Sequence, residues 1–116
     1  MKFISFTIYD AAKSTEIATL TDELFVDPPP GYNPLASYTC LAQPFPGLMP
    51  NTLVSITIAE AESAESLAAI SYPLVFAGAT FHSVPVLENP IGGAAIVEKK
   101  CSGRVQRRRK QNTLKT

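Results

Sequence analysis

Four segments of the chain repeat apolar or small residues with a period of two, which is typical of β-strands. The segments are residues 2–9, 35–42, 53–59 and 80–87. Seven of the ten prolines lie between residues 28 and 50, so the second segment is flanked by Pro-rich loops. Pro85 cannot donate to a strand ladder, and it therefore places the fourth strand at a sheet edge.

Two other segments carry apolar residues at helical spacing. Asp10 and Ser63 are predicted N-caps, because their side chains can accept from free N–H groups of the first turn. The first helix must end before Asp27, ahead of three consecutive prolines, and Gly78 is a natural stop for the second. Pro73 is expected to kink the second helix or start a fresh turn. The apolar stripes are Ile17, Leu20, Leu24 and Phe25, then Leu67, Ile70 and Leu74.

The order strand, helix, strand, strand, helix, strand predicts an α+β fold. A βαββαβ chain forms a ferredoxin-like sandwich, in which a four-stranded antiparallel sheet is covered on one face by two helices. We place this domain at residues 1–98. Residues 99–116 contain few large apolar side chains and are predicted to form a basic, disordered tail.

The formal net charge is zero, but the charges are divided unevenly along the chain. Residues 1–98 hold all ten acidic residues and only Lys2 and Lys13, a net charge of −8, and residues 99–116 carry +8. No apolar run is long enough to span a membrane, and a signal-peptide pattern is absent. We expect a soluble, cytoplasmic protein.

The two faces of the predicted sheet differ in character. We assign the bulky aliphatic face to the helices. The other face alternates large apolar groups with hydroxyls and carries no charge, so we predict that a second copy covers it and forms a dimeric α/β barrel. The aliphatic set is Ile4, Phe6, Ile8, Ala36, Tyr38, Cys40, Val54, Ile56, Ile58, Val84 and Val86. The hydroxyl set is Phe3, Ser5, Thr7, Tyr9, Leu35, Ser37, Thr39, Leu41, Leu53, Ser55, Thr57, Phe81, Ser83 and Leu87.

Four stretches of the chain form one pattern: Met1-Lys2-Phe3, Pro28-Pro29-Pro30-Gly31, residues 55–61 and residues 81–87. This pattern resembles the "domain of unknown function 3303" family over about residues 1–98. The resemblance implies a ferredoxin-like fold and a dimer, with no established activity and no catalytic residue to transfer. The chain departs from the family at Tyr38 and Thr39, where members carry a tryptophan–histidine pair.

Candidate chemistry centres on hydroxyls and on one imidazole. His82 is the only histidine, and its unperturbed pKa lies near neutrality. Together with Tyr38 and Tyr9 it is a candidate proton carrier, although a half-exposed packing role is the simpler interpretation of His82. The candidate ligand-binding residues are Ser5, Thr7, Ser37, Ser55, Thr57 and Ser83, and tight sheet packing alone also explains them.

Three hypotheses for function follow. We favour a homodimer that binds a small organic ligand between its sheets, without cofactor or metal. The first alternative is a cofactor-independent enzyme, such as the monooxygenases or isomerases that similar barrels support. The second alternative is an interaction module, because the basic run Arg107–Lys110 would bind nucleic acid or another polyanion weakly through charge.

Overall fold

The computed structural model describes residues 1–103. The chain forms two compact units: the first is Met1–Val86, and the second begins at Leu87. A short 3-10 turn, Ala11–Lys13, precedes the first α-helix. The elements of the first unit are β1 (Lys2–Asp10), α1 (Ser14–Val26), β2 (Tyr32–Thr39), β3 (Thr52–Ala61), α2 (Ala64–Phe76) and β4 (Thr80–Pro85).

The strands form a four-stranded sheet in the order β2-β3-β1-β4, with antiparallel pairing throughout. β1 and β3 pair over the whole of β1, from Lys2 opposite Glu60 to Asp10 opposite Thr52. β4 lies at one edge, the position that Pro85 predicts. The α+β arrangement fits the predicted ferredoxin-like sandwich in outline.

β2 begins earlier than the sequence predicts, and it contains a proline. It starts at Tyr32 instead of Leu35 and includes Pro34, with a register shift between Pro34 and Ala36. An edge strand tolerates a proline and a bulge, because one side of its backbone has no ladder to complete. The buried ring of Tyr32 anchors the early start.

Both predicted N-caps are confirmed. The Asp10 carboxylate accepts a hydrogen bond from the Ala12 backbone N–H at 2.8 Å, which starts the 3-10 turn. The Ser63 hydroxyl accepts from the backbone N–H of Ser66 at 3.1 Å and starts α2. Pro73 lies inside α2, and the helix continues past it to Phe76. Gly78 then adopts a positive φ of +100°, which ends the helical segment.

The proline-rich turn is fastened to the start of α2. The buried Ser66 hydroxyl donates to the Pro30 carbonyl at 3.0 Å, and the Glu62 N–H donates to the Gly31 carbonyl at 2.9 Å. Gly31 has φ +80°, and a Cβ there would lie 2.4 Å from the Ser66 hydroxyl oxygen. A glycine is therefore required where this turn approaches α2.

The helices bury their predicted stripes against the sheet. Ile17, Ile70 and Leu74 are 1–3% exposed, and each such side chain contributes about 1.5–3 kcal/mol through burial. They pack with sheet residues in one core cluster, together with partly buried Leu20, Leu24, Phe25 and Leu67. The sheet side of that cluster consists of Tyr9, Tyr32, Ala59 and Ala61, with Phe3, Leu53 and Phe81 partly buried beside it.

The helices therefore pack on the opposite face from the one predicted. Ser5, Thr7 and Thr57, assigned by sequence to a dimer interface, are buried on the helix side. Hydroxyl side chains and alanines are small, so they give room to the bulky helix stripes, and a face of isoleucines would hold the helices further away. We call the hydroxyl-bearing side the helix face and its opposite the distal face.

The second unit begins with residues that have no regular secondary structure and then becomes helical. Residues 94–103 are helical, although residues 99–103 were predicted to belong to a disordered tail. The helix starts directly after Gly93, whose N–H donates to the Pro90 carbonyl at 2.8 Å. The rest of the predicted tail, including Arg107–Lys110, lies outside the described residues.

Two buried tyrosines allow a matched test of this core. Among the described residues, the Tyr32 hydroxyl is the one buried side-chain polar atom without a hydrogen-bond partner, and the Tyr9 hydroxyl bonds to Ser55 at 3.1 Å. We expect Tyr32→Phe to raise the free energy of unfolding by about 1 kcal/mol, because it removes an unsatisfied buried group. Tyr9→Phe is expected to lower it by about 1 kcal/mol. Urea denaturation measures both, and equal losses would contradict the assignment of Tyr32.

Tyr32 also makes the stability of the fold depend on pH. Burial raises the pKa of Tyr32 to about 12. Between about pH 10 and pH 12 the unfolded chain has lost this proton and the folded chain has kept it, so stability falls as pH rises. We expect thermal unfolding scans to show a smaller loss in Tyr32→Phe than in the natural chain. Tyr72→Phe, at an exposed position on α2, serves as the control and should follow the natural chain.

Candidate functional site

The distal face carries bulky apolar groups on all four strands. The register places the even-numbered side chains of β1, from Ile4 to Ile8, beside those of the neighbouring strands. Lys2 and Glu60, opposite each other in the ladder, form the charged end of this face. Between that end and Asp10 the distal face consists of Ile4, Phe6, Ile8, Ala36, Tyr38, Cys40, Val54, Ile56, Ile58, Thr80, His82 and Val84.

Two candidate proton carriers lie on the distal face, in a single cross-strand row. Tyr38 pairs with Ile56, Ile56 with Phe6, and Phe6 with His82. Three strand spacings separate the first residue of the row from the last, about 14 Å. Tyr38 and His82 therefore stand at opposite edges of an apolar strip and do not touch within one copy.

The loop between β2 and β3 places an aromatic ring over the middle of this row. The rings of Phe45 and Phe6 meet edge to face, with centroids 6.0 Å apart and an interplanar angle of 72°. The side-chain amide of Gln43 donates to the Met49 carbonyl at 3.0 Å and closes the loop on itself. Phe45 thus stands on the distal face as a raised apolar group.

Much of the distal face is in contact with solvent. Tyr38 is 58% exposed and Val84 is 48% exposed, and His82 is exposed as well. The isoleucines of β1 and β3 are half-buried, and Val54 is buried. The imidazole of His82 and the phenol of Tyr38 therefore border an accessible apolar surface.

The hydroxyls predicted to bind a ligand lie on the helix face. The hydroxyl oxygens of Ser5 and Ser83 are 2.9 Å apart, and the Tyr9 hydroxyl is 3.1 Å from that of Ser55. These pairs satisfy each other inside the sandwich. The sheet separates Tyr9 from Tyr38 and His82, so the three candidate proton carriers do not form one site.

Among the cavities of the described residues, two lie between a helix and strands of the sheet. A polar cavity of about 130 Å³ brings together Tyr9, Ser37 and Ser55 from three strands, with Thr21 and Asp22 from α1. A more apolar cavity of about 350 Å³ lies between α2 and β4 and includes Ser83. Sequence reasoning missed Thr21 and Asp22. The spacing in the sequence could have identified them. Thr21 follows Ile17 by four residues and Asp22 follows Ala18 by four residues, so all four lie on the same side of α1.

The described residues contain no group of three or more His, Cys, Asp or Glu side chains that could hold a metal ion. Both cysteines are free; Cys40 is half-buried and Cys101 is exposed. Over the same part of the chain, no helix combines the length and apolar character needed to cross a membrane.

Comparison with known proteins gives limited information. No protein-family model matches the chain, and neither does any curated protein, so the resemblance to the "domain of unknown function 3303" family stays a prediction. Among solved structures, the chain is similar to a DUF3240 family protein from Shewanella baltica OS155, with 15% identity and a TM-score of 0.44. The match covers 77% of this chain and 93% of that chain.

Proposed function

We propose that the protein is a homodimer that encloses a small apolar organic ligand between two distal faces. The observation that carries the proposal is the run of uncharged, bulky side chains on that face, of which Tyr38 and Val84 are about half exposed. Contiguous apolar patches of this kind are rare on monomers, because exposing them to water costs free energy. A second copy supplies the same apolar surface and covers both patches at once.

The size of the distal face supports a dimer. β1 and β3 pair over nine positions, so with standard strand dimensions the sheet spans roughly 20 Å by 30 Å. Two such faces would bury about 1,200 Å², which is at the lower end of stable protein interfaces.

The position of the Phe45 ring supports the proposal that a ligand binds between the two sheets. Two sheets packed face to face lie about 10 Å apart, with their side chains interdigitating. The Phe45 ring already occupies space above Phe6, so two copies would meet on these raised rings. The space beside the rings would admit a small apolar molecule, and pockets of this type are lined mainly by apolar groups with a few polar ones.

Tyr38 and His82 would supply those polar groups. A two-fold axis parallel to the strands stacks β2 of one copy over β4 of the other, because β2 and β4 are the two sheet edges. The row that joins the two residues then faces itself in reverse order. A phenol from one copy and an imidazole from the other would frame each end of the enclosed space and orient the ligand.

The two alternatives stay predictions. A cofactor-independent enzyme would use the same Tyr38 and His82 pair as proton carriers, without Tyr9, which lies across the sheet. A polyanion-binding module would depend on Arg107–Lys110, which lie outside the described residues.

A charge on the distal face tests the dimer. We expect Val84→Lys to convert a dimer of two 12.5 kDa chains to monomers, because an ammonium group buried between apolar sheets has no partner. Light scattering coupled to size exclusion measures the mass. Val26→Lys is the matched control, since Val26 is 85% exposed at the end of α1, and this variant should remain dimeric. A natural chain that elutes as a monomer would refute the proposal.

A neutral fluorescent probe tests the ligand. We expect N-phenyl-1-naphthylamine to bind the natural dimer saturably and to shift the imidazole resonances of His82, because that ring borders the enclosed space. Binding should be lost in Val84→Lys and kept in Val26→Lys. A dimer that takes up no probe would contradict the ligand and leave the dimer standing.

A further inference from the structure

The polar cavity on the helix face is built like a small binding site. Tyr9 and Ile17, both buried, form its floor, and Ser55 is half-buried beside them. Asp22 and the two β2 residues Ser37 and Thr39 are exposed and stand at its mouth. The cavity therefore leads from solvent to a buried phenol between α1 and the β2 side of the sheet.

The hydroxyl oxygens that line this cavity can accept further hydrogen bonds. The Thr21 hydroxyl donates to the Ile17 carbonyl at 2.8 Å, so its proton is engaged and its oxygen lone pairs are left. The Tyr9 and Ser55 hydroxyls share one hydrogen bond, at 3.1 Å, and each oxygen keeps a further lone pair. Ser37 and Thr39 add two hydroxyls at the mouth.

The charge of the residues that line the cavity favours a positively charged ligand. Asp22 contributes a carboxylate, and none of the lining residues that the structure describes is a Lys, Arg or His. Residues 1–86, the unit that contains the cavity, hold eight acidic residues and two lysines, a net charge of −6. An anion would thus meet repulsion at the mouth, and a cation would be attracted to it.

We propose that this cavity binds the primary ammonium group of a small molecule. An ammonium group has three N–H donors and no acceptor, which complements a carboxylate and several hydroxyl oxygens. The volume of about 130 Å³ equals the liquid share of roughly four water molecules, so the site takes an ammonium group with a short polar chain. The cavity lies on the helix face, and the proposal is independent of the dimer and of any ligand between sheets.

Titration with ethanolamine, followed by the backbone amide resonances of the folded protein, tests the proposal. We expect saturable shifts at the amides of Thr21, Asp22, Ser37, Thr39 and Ser55. Ethanol, which has the hydroxyl without the charge, and acetate, which has the opposite charge, should leave these amides unmoved. Shifts of equal size with ethanol, or no saturable shift with ethanolamine, would overturn the proposal.

Two variants and one control assign the effect to residues. Asp22→Asn should weaken ethanolamine binding about fivefold, the factor expected for a partly exposed ion pair. Ser55→Ala should weaken it by a similar factor, about fivefold, through one lost hydrogen bond. Asp27→Asn changes an exposed acid outside the cavity lining and should not alter binding. Equal weakening by Asp22→Asn and Asp27→Asn would show general charge attraction and would overturn the site.

Discussion

The packing of α1 and α2 on the helix face of the sheet is the constraint on which the other features of this molecule depend. Ile17, Ile70 and Leu74 are buried to within a few per cent in one cluster with tyrosines and alanines of the sheet, and serine and threonine side chains are buried on the same face. The hydroxyls brought inside must then find partners, and two pairs do so across strands. The choice of face fixes what is left on the other side of the sheet, which is a surface of isoleucine, valine and aromatic rings.

Local features of the fold could be predicted from the sequence, because they depend on a few neighbouring residues. The caps at Asp10 and Ser63, the apolar stripes of both helices and the edge position of the Pro85 strand all follow from chemistry within a turn or a strand. The face of the sheet that the helices cover does not follow in this way. A period of two divides the strand residues into two faces, but it does not show which of them packs against the helices. The aliphatic set carries Lys, Asp or Glu only at its ends, so hydrophobicity favoured it for the core, whereas the smaller hydroxyl residues are the ones buried under the helices.

The candidate site was predictable to a similar extent. Ser37 and Ser55 were predicted as ligand-binding hydroxyls and Tyr9 as a proton carrier. The structure brings all three together beneath α1, and not in a space between two copies. Asp22 joins them only because α1 crosses the sheet at that point, and a pairing between a helix and a distant strand leaves no trace in local sequence pattern. His82 and Tyr38 needed the strand order before their common row became visible.

The two faces of the sheet thus offer different chemistry at different depths. On the helix face, polar groups are fixed by mutual hydrogen bonds around a small cavity, so the binding proposed there would depend on charge and hydrogen-bond geometry. On the distal face, half-exposed aliphatic groups surround a raised phenylalanine, and the binding proposed there would depend on apolar area. The backbone of β1 and β3 is shared by both faces, because alternate residues of the same strands supply each one. A substitution on β1 or β3 that shifts the register by one residue would therefore exchange the two surfaces and destroy both, whereas a change of side chain at a single position leaves the opposite face intact.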